Sequence, residues 1–316
     1  MKTPILFLIF NRPETTRQVF AAIRKEQPAK LYVAADGPRP GRIGEHELCE
    51  EVRSIATTVD WPCEIITLFR DNNLGCKHAV SQAISWFFKH EEEGIILEDD
   101  CLPAQTWFPF AEELLTKYQD DERIMNISAQ HFHRDAHTPP HSYFFSRYFH
   151  CWGWATWRRA WKLYDLEMNL WSAVRDTHWL RAKGDGSRLF AEYWKRIFDA
   201  VYAGTIDTWD YQWTFSCWAQ NGLTILPSKN LVTNIGFGDG STHTRSGNKV
   251  IKNLPREKMA FPLSHPNYMI RDVAADKWIE RHVLGIREQI AFKSILRKLP
   301  GVSSLAQTLR SLRGSS

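Results

Sequence analysis

Apolar and polar positions follow two alternating periods along the first hundred residues. PILFLIF (4–10) is a continuous apolar run closed by Asn11-Arg12-Pro13, as suits a strand buried on both faces. Thr15 or Thr16 then offers a cap to a helix carrying Val19, Phe20 and Ile23. KLYVAA is a second strand, stopped by DGPRPG, where Gly and Pro enforce a turn. A helix over 44–58 puts Leu48, Val52 and Ile55 on one face. CEIITLF is the third strand, RDNNLGC the loop behind it, and the helix KHAVSQAISWFFKH leads to GIIL, the fourth strand. Strands alternating with helices predict an α/β fold with a mostly parallel sheet layered between helices.

Farther along, Trp107, Phe110, Leu114 and Leu115 predict a helix over 105–118, and RIMNISA a strand. Residues 131–150, rich in His, Pro and aromatics, read as a long loop. Helices are expected near 155–165 and 189–203 and across TWDYQWTFSCWAQNG. LTILP and NLVTNIGF read as late strands, and GDGSTHTRSGN as a flexible loop. The pattern divides the chain into a main domain, 1–250, and a basic helical extension, 251–316. There is no internal repeat.

In open α/β sheets, ligands meet the carboxyl ends of the strands. Those ends carry Asn11 and Arg12, Asp36 and Gly37, Arg70 to Gly75, and Glu98 to Asp100, so four loops supply polar groups to one rim. The last is the most informative. In GIILEDDCLP an apolar strand runs straight into three carboxylates that repel one another. All-oxygen donors suit Mg²⁺ or Mn²⁺, which would remove the repulsion and hold a diphosphate. The alternative is a solvated acidic turn. Lys77 and Arg70 are read either as phosphate contacts or as ordinary solvated charges.

Composition adds three points. Net charge is +4 and mild; the basic excess gathers in 289–316, with five Lys or Arg and no acid, so a general nucleic-acid footprint is not indicated. Six Cys stand singly with no C-x-x-C pair, which argues against a zinc ribbon and reads as reduced thiols in a cytosolic protein. The apolar run at the N-terminus is too short, and its Asn-Arg-Pro ending too polar, for a signal peptide, and no other stretch is long enough to span a membrane. Fourteen Trp and eighteen Phe exceed ordinary packing needs; stacking on sugar faces and a thick aromatic core are both open. His131, His133, His137 and His141 lack an acidic partner at matching spacing, which favours a non-metal role.

The Glu-Asp-Asp triplet after the fourth strand resembles the acidic "DXD" motif of GT-A (Rossmann-like) nucleotide-sugar glycosyltransferases, in particular the N-acetylglucosaminyltransferase I type and bacterial family 2-like enzymes. GWATW (153–157), TWDYQW (208–213) and LPSKNLVTNIGFGDGSTH (226–243) resemble that family's later segments in the same order, so the resemblance spans roughly 1–245. It implies that Asn11 and Arg12 meet the nucleotide, that Asp36 accepts hydrogen bonds from base or ribose, and that Arg70, Asn73 and Gly75 form the loop beside ribose and diphosphate. It further implies that Asp100 binds Mn²⁺ or Mg²⁺, that Glu98 and Asp99 contact the nucleotide-sugar, that Asp210 is the catalytic base, and that His243 closes on the metal or diphosphate. Asp207 is the neighbouring candidate base.

The implied activity is a metal-dependent, inverting glycosyltransferase of hexosyltransferase type. It would carry a sugar from a UDP-sugar or similar donor to a glycan or lipid-linked glycan in bacterial surface polysaccharide synthesis. Unlike the Golgi members, the chain shows no anchor and stem, which fits a soluble, cytoplasmic enzyme. REQIAFKSILRKL (287–299) does not match the family: it either docks on anionic lipid at the inner membrane face or packs back on the domain. Three rival classes are weighed. A sugar-nucleotide pyrophosphorylase expects a Gly-rich loop where NRPETT stands; a carbohydrate-binding protein leaves the acidic strand tip unexplained; a glycoside hydrolase has no need of a nucleotide rim.

Overall fold

The computed structural model describes residues 1–237 and 254–286. Its first half follows the expected alternation: β1 (Ile5–Ile9), α1 (Pro13–Glu26), β2 (Lys30–Ala35), α2 (Glu45–Thr57), β3 (Glu64–Phe69), α3 (Gly75–His90) and β4 (Glu93–Glu98). A short β5 (Cys101–Pro103), α4 (Trp107–Lys117), β6 (Ile124–Ser128), β7 (Tyr143–Ser146) and β8 (Trp154–Trp157) come next. The helices α5 (Arg158–Trp161), α6 (Trp171–Val174), α7 (Trp179–Lys183), α8 (Arg188–Tyr202) and α9 (Asp210–Ala219) precede β9 (Leu223–Pro227), β10 (Val232–Asn234) and α10 (Val273–His282).

Eight strands form one sheet in the order β3-β2-β1-β4-β8-β6-β9-β7, and β10 pairs with β5 in a second. The bonds β3–β2, β2–β1, β1–β4 and β6–β9 are parallel; β8 runs antiparallel between β4 and β6, and β7 antiparallel on β9. The mixed, mostly parallel sheet between helices is therefore as expected. Side-chain alternation divides the core in two. Ile5, Phe7 and Ile9 of β1 pack with α1, α2 and α4, and Leu6 and Leu8 with α3, α9 and α10.

Several local expectations give way. No threonine caps α1. Its N-cap is Arg12, and Thr15 and Thr16 instead donate back to the Arg12 carbonyl, while Pro13 starts the helix with a preset φ. On α2, Leu48 is exposed, and Cys49, Val52 and Ala56 face the core. WATW is a strand rather than helix: wedged between β4 and β6, it is buried on both faces, so it shows no alternation. The 131–150 segment contains β7. Beyond 250, Leu254 is buried, Met259 and Leu263 join one core layer, and Ala275, Ile279 and Ile286 the other. The segment 238–253 and the basic stretch from 287 lie outside the described residues. Among the described residues no helix is long and apolar enough to cross a membrane.

Candidate functional site at the strand tips

One cavity of about 520 Å³ opens where the parallel strands end. Its wall includes Arg12, Asp36, Arg39, Arg70, Asn73, Gly75, Glu98, Asp99, Asp100, Asp207 and Asp210, with Trp152, Trp209, Asn234 and Gly236. Residues far apart in sequence thus meet at one rim.

The acids at the tip of β4 do not act alike. Ile96 belongs to the α3 and α9 layer, so strand period two sends Glu98 to that side, toward Asp210. Burial, then Asp100, Asp99 and Asp210, push the Glu98 carboxyl well above its ordinary value. Asp99 accepts from the Phe10 backbone N–H at 3.1 Å; burial and the neighbouring Asp100 still raise it to about 7. Asp100 takes a 2.7 Å charge-assisted bond from Arg12 Nη1, which is also 3.7 Å from Asp99. Burial works against the Arg12 charge, but Asp99, Asp100 and Glu98 outweigh it and hold the guanidinium more firmly protonated than usual. Gly236 lies against Asp100: a Cβ there would fall 2.2 Å from Oδ2.

Three carboxylates near one guanidinium leave excess negative charge, which burial and mutual repulsion disfavour on Glu98 and Asp99. That donor set fits a hard divalent cation. Among the described residues no three His, Cys, Asp or Glu side chains converge as a ready metal cage. Mg²⁺-type sites commonly lack one, taking one or two carboxylates and completing the shell with water and phosphate oxygens.

The loop after β3 is braced by other acids. Asp36 accepts from the N–H groups of Gly37, Leu74 and Gly75 at 3.0–3.1 Å, yet burial raises its carboxyl above the usual value. Asn73 donates to the Gly37 carbonyl at 2.8 Å, and Arg53 bridges the carbonyls of Asp36 and Arg70. Desolvation lowers the Arg70 guanidinium, with Asp36 opposing. Asp207 accepts from the N–H groups of Cys76 and Lys77 at 3.2 and 3.1 Å. The first turn of α3, otherwise a natural anion site, is therefore filled by Asp36 and Asp207.

Asp210 begins α9 and is hydrogen-bonded by the Thr208 hydroxyl. Asn11 is absent from the cavity wall; its amide donates to Glu45 at 3.0 Å. Lys77 pairs with Glu167 at 3.1 Å. His243 lies outside the described residues. The aromatic surplus is mainly core: Trp107, Trp154, Trp171, Trp213 and Trp218 are fully buried, whereas Trp152 is partly exposed at the cavity. Sequence reasoning passed over Arg39, Trp152 and Asn234. The Gly- and Pro-rich setting of Arg39 advertises a turn and nothing more.

No family profile matches the chain, and no curated protein does. Among solved structures, mouse xyloside xylosyltransferase 1 is 10% identical at a TM-score of 0.33, with 69% of this chain and 82% of that one covered. A galactosyltransferase, LgtC, bound to donor and acceptor sugar analogues, is 10% identical at 0.30, covering 67% and 69%. A UDP-glucose pyrophosphorylase with UDP-glucose is 9% identical at 0.35, covering 74% and 93%. Similarity at this level carries no argument about activity. The function rests on the site.

Proposed function

We propose that the chain is a metal-dependent, inverting glycosyltransferase. It moves a sugar, of the hexosyl type, from a UDP-sugar or related donor to a hydroxyl of a glycan or lipid-linked glycan in bacterial surface polysaccharide or glycoconjugate synthesis. The supporting observation is that the acids closing β4 and Asp210 opening α9 face one cavity.

In this reading Asp210 takes the proton of the acceptor hydroxyl as that oxygen attacks the anomeric carbon, and the nucleoside diphosphate leaves from the opposite face. Base catalysis of this kind is worth about 10²–10⁴-fold. Thr208 orients the Asp210 carboxylate. Trp209, buried in the cavity wall, keeps water from the donor; Trp213, fully buried and absent from the wall, shares with it the rings of Trp154 and Trp161. Asp100 would hold Mn²⁺ or Mg²⁺, with His243 as a further proposed ligand. Such a cation, when bound, offsets charge on the departing diphosphate. Lipid docking by the basic segment after 289, on the cytoplasmic membrane face, belongs to the same proposal.

Nucleotidyl transfer fits less well, because Asn11-Arg12-Pro13 follows β1 where that chemistry expects glycines, and Arg12 is committed to the acids. The test separates binding from chemistry. Asp210→Asn should keep donor affinity within about twofold and lose transfer by at least about 10²-fold in a radiolabelled sugar assay. Unchanged transfer moves the base elsewhere.

A further inference from the structure

Arg39 stands in the turn after β2 and lines the cavity. Glu45, only 5% exposed, accepts from the Arg39 backbone N–H at 2.6 Å, from Nε at 3.0 and 3.1 Å, and from Nη2. The Asn11 amide donates to the same carboxylate at 3.0 Å. A buried carboxylate is tolerated only when its oxygens are satisfied, and here the partners are one arginine and one amide. Both the ion pair and those bonds keep Glu45 more acidic than usual. The Arg39 guanidinium lies over the Phe10 ring at 5.5 Å, and Phe10 also lines the cavity. A relay thus runs Asn11–Glu45–Arg39 and ends at the ligand space.

Its position in the sheet says which part of a ligand it meets. The tip of β1 lies between those of β2 and β4. Two strand spacings, about 10 Å, therefore separate the acids of β4 from the turn after β2. A nucleoside diphosphate held by its phosphates at β4 would lay its base across β1 toward Arg39. Because Glu45 offsets its charge, Arg39 offers a planar face and its remaining Nη1 donor rather than net charge, which suits a heteroaromatic ring better than a phosphate.

We propose that Arg39 binds the nucleobase end of the donor, and that Glu45 and Asn11 are positioning residues holding its guanidinium there. This rests on the nucleotide-donor reading above. The experiment is calorimetry with UDP and, separately, with inorganic pyrophosphate, each with Mn²⁺, on variants whose melting temperatures are recorded alongside. Arg39→Ala should weaken UDP about tenfold, as expected for losing one charged-group contact, and leave pyrophosphate unchanged. Arg39→Lys, which keeps the ion pair with Glu45, should fold normally yet fail to restore UDP affinity. Glu45→Gln and Asn11→Ala should weaken UDP several-fold in the native background and add nothing to Arg39→Ala. Unchanged UDP affinity in Arg39→Ala, equal losses for UDP and pyrophosphate, or additive effects along the relay would overturn the assignment. A native chain that binds pyrophosphate and ignores UDP would overturn it too. One that binds neither removes the donor reading itself.

Discussion

Asp207 and Asp210 lie three residues apart, one before α9 and one at its start, and the fold sets them different tasks. Asp207 spends its oxygens on the first turn of α3, whereas Asp210 is oriented by Thr208 toward the cavity. Asp207→Ala should therefore behave as a lost cap, costing about 1 kcal/mol in urea unfolding; a loss of transfer as complete as in Asp210→Asn, with stability intact, would reverse the two roles. Sequence alone left that choice open, because the partners of Asp207 are 130 residues away in the chain. The histidines carry a separate prediction. His131 and His133 are buried; both ring nitrogens of His131 and Nδ1 of His133 lack partners, while Nε2 of His133 meets the Ala275 carbonyl at 2.9 Å, and burial pushes His133 down to about 4. The Ala275 carbonyl and Asp272 favour its charge, and His131 and His137 oppose it. With a folded value below the unfolded one of about 6.5, His133 contributes stability that is complete above pH 6.5 and lost as pH falls toward about 4. His133→Phe should flatten that limb of the stability–pH curve by on the order of 2 kcal/mol. An unaltered limb would show that the cluster is not what titrates.

At the scale of elements, the turn after β2 and the loop after β3 touch so closely that only glycine fits. A Cβ on Gly37 would lie 2.5 Å from backbone atoms of Asn72, which cannot swing aside as a side chain would. Gly37→Ala should separate the two loops, loosen the bonds Asp36 makes to Leu74 and Gly75, and destabilise the chain by about 1–3 kcal/mol in urea. A neutral substitution would mean the loops adjust independently. Strands β1 to β4 were legible because each is an apolar run punctuated by Gly, Pro or acids. The strand β8 was not. Trp154 packs on one side of the sheet and Ala155 and Trp157 on the other, so both faces are buried and WATW shows no alternation of polar with apolar residues. β7 was hidden for a similar reason: YFFS is four positions buried on both faces inside a His- and Pro-rich stretch. Arg12 illustrates the converse. Its place at the strand end was readable, but its commitment to Asp99 and Asp100 depends on the β1–β4 pairing, which adjacency in sequence does not reveal.

For the whole molecule, a buried ion cluster ties the chain beyond 250 to the sheet. Arg147, 5% exposed, reaches Asp276 at 3.2 Å, Glu280 at 3.6 Å and Asp185, while Ser146 donates to Asp276 at 2.5 Å. Desolvation lifts Asp276 to about 6 in spite of those partners. Such a cluster is costly to break from one side. Arg147→Met should cost about 3–5 kcal/mol and release α10 to faster hydrogen exchange; a near-native melting point would show that apolar packing by Ala275 and Ile279 suffices. The aromatic excess, by contrast, is settled at this scale. Most of it fills the layer of α5 to α9 behind the cavity.

The central claim is that the acids closing β4 hold a nucleoside diphosphate through a divalent cation. Calorimetric titration of UDP into the native chain and into Asp100→Ala, each with Mn²⁺ and with chelator, tests it most directly. The account predicts saturable UDP binding that requires Mn²⁺ and disappears in a still-folded Asp100→Ala variant. Equal UDP affinity with and without the metal, or in both chains, would contradict it.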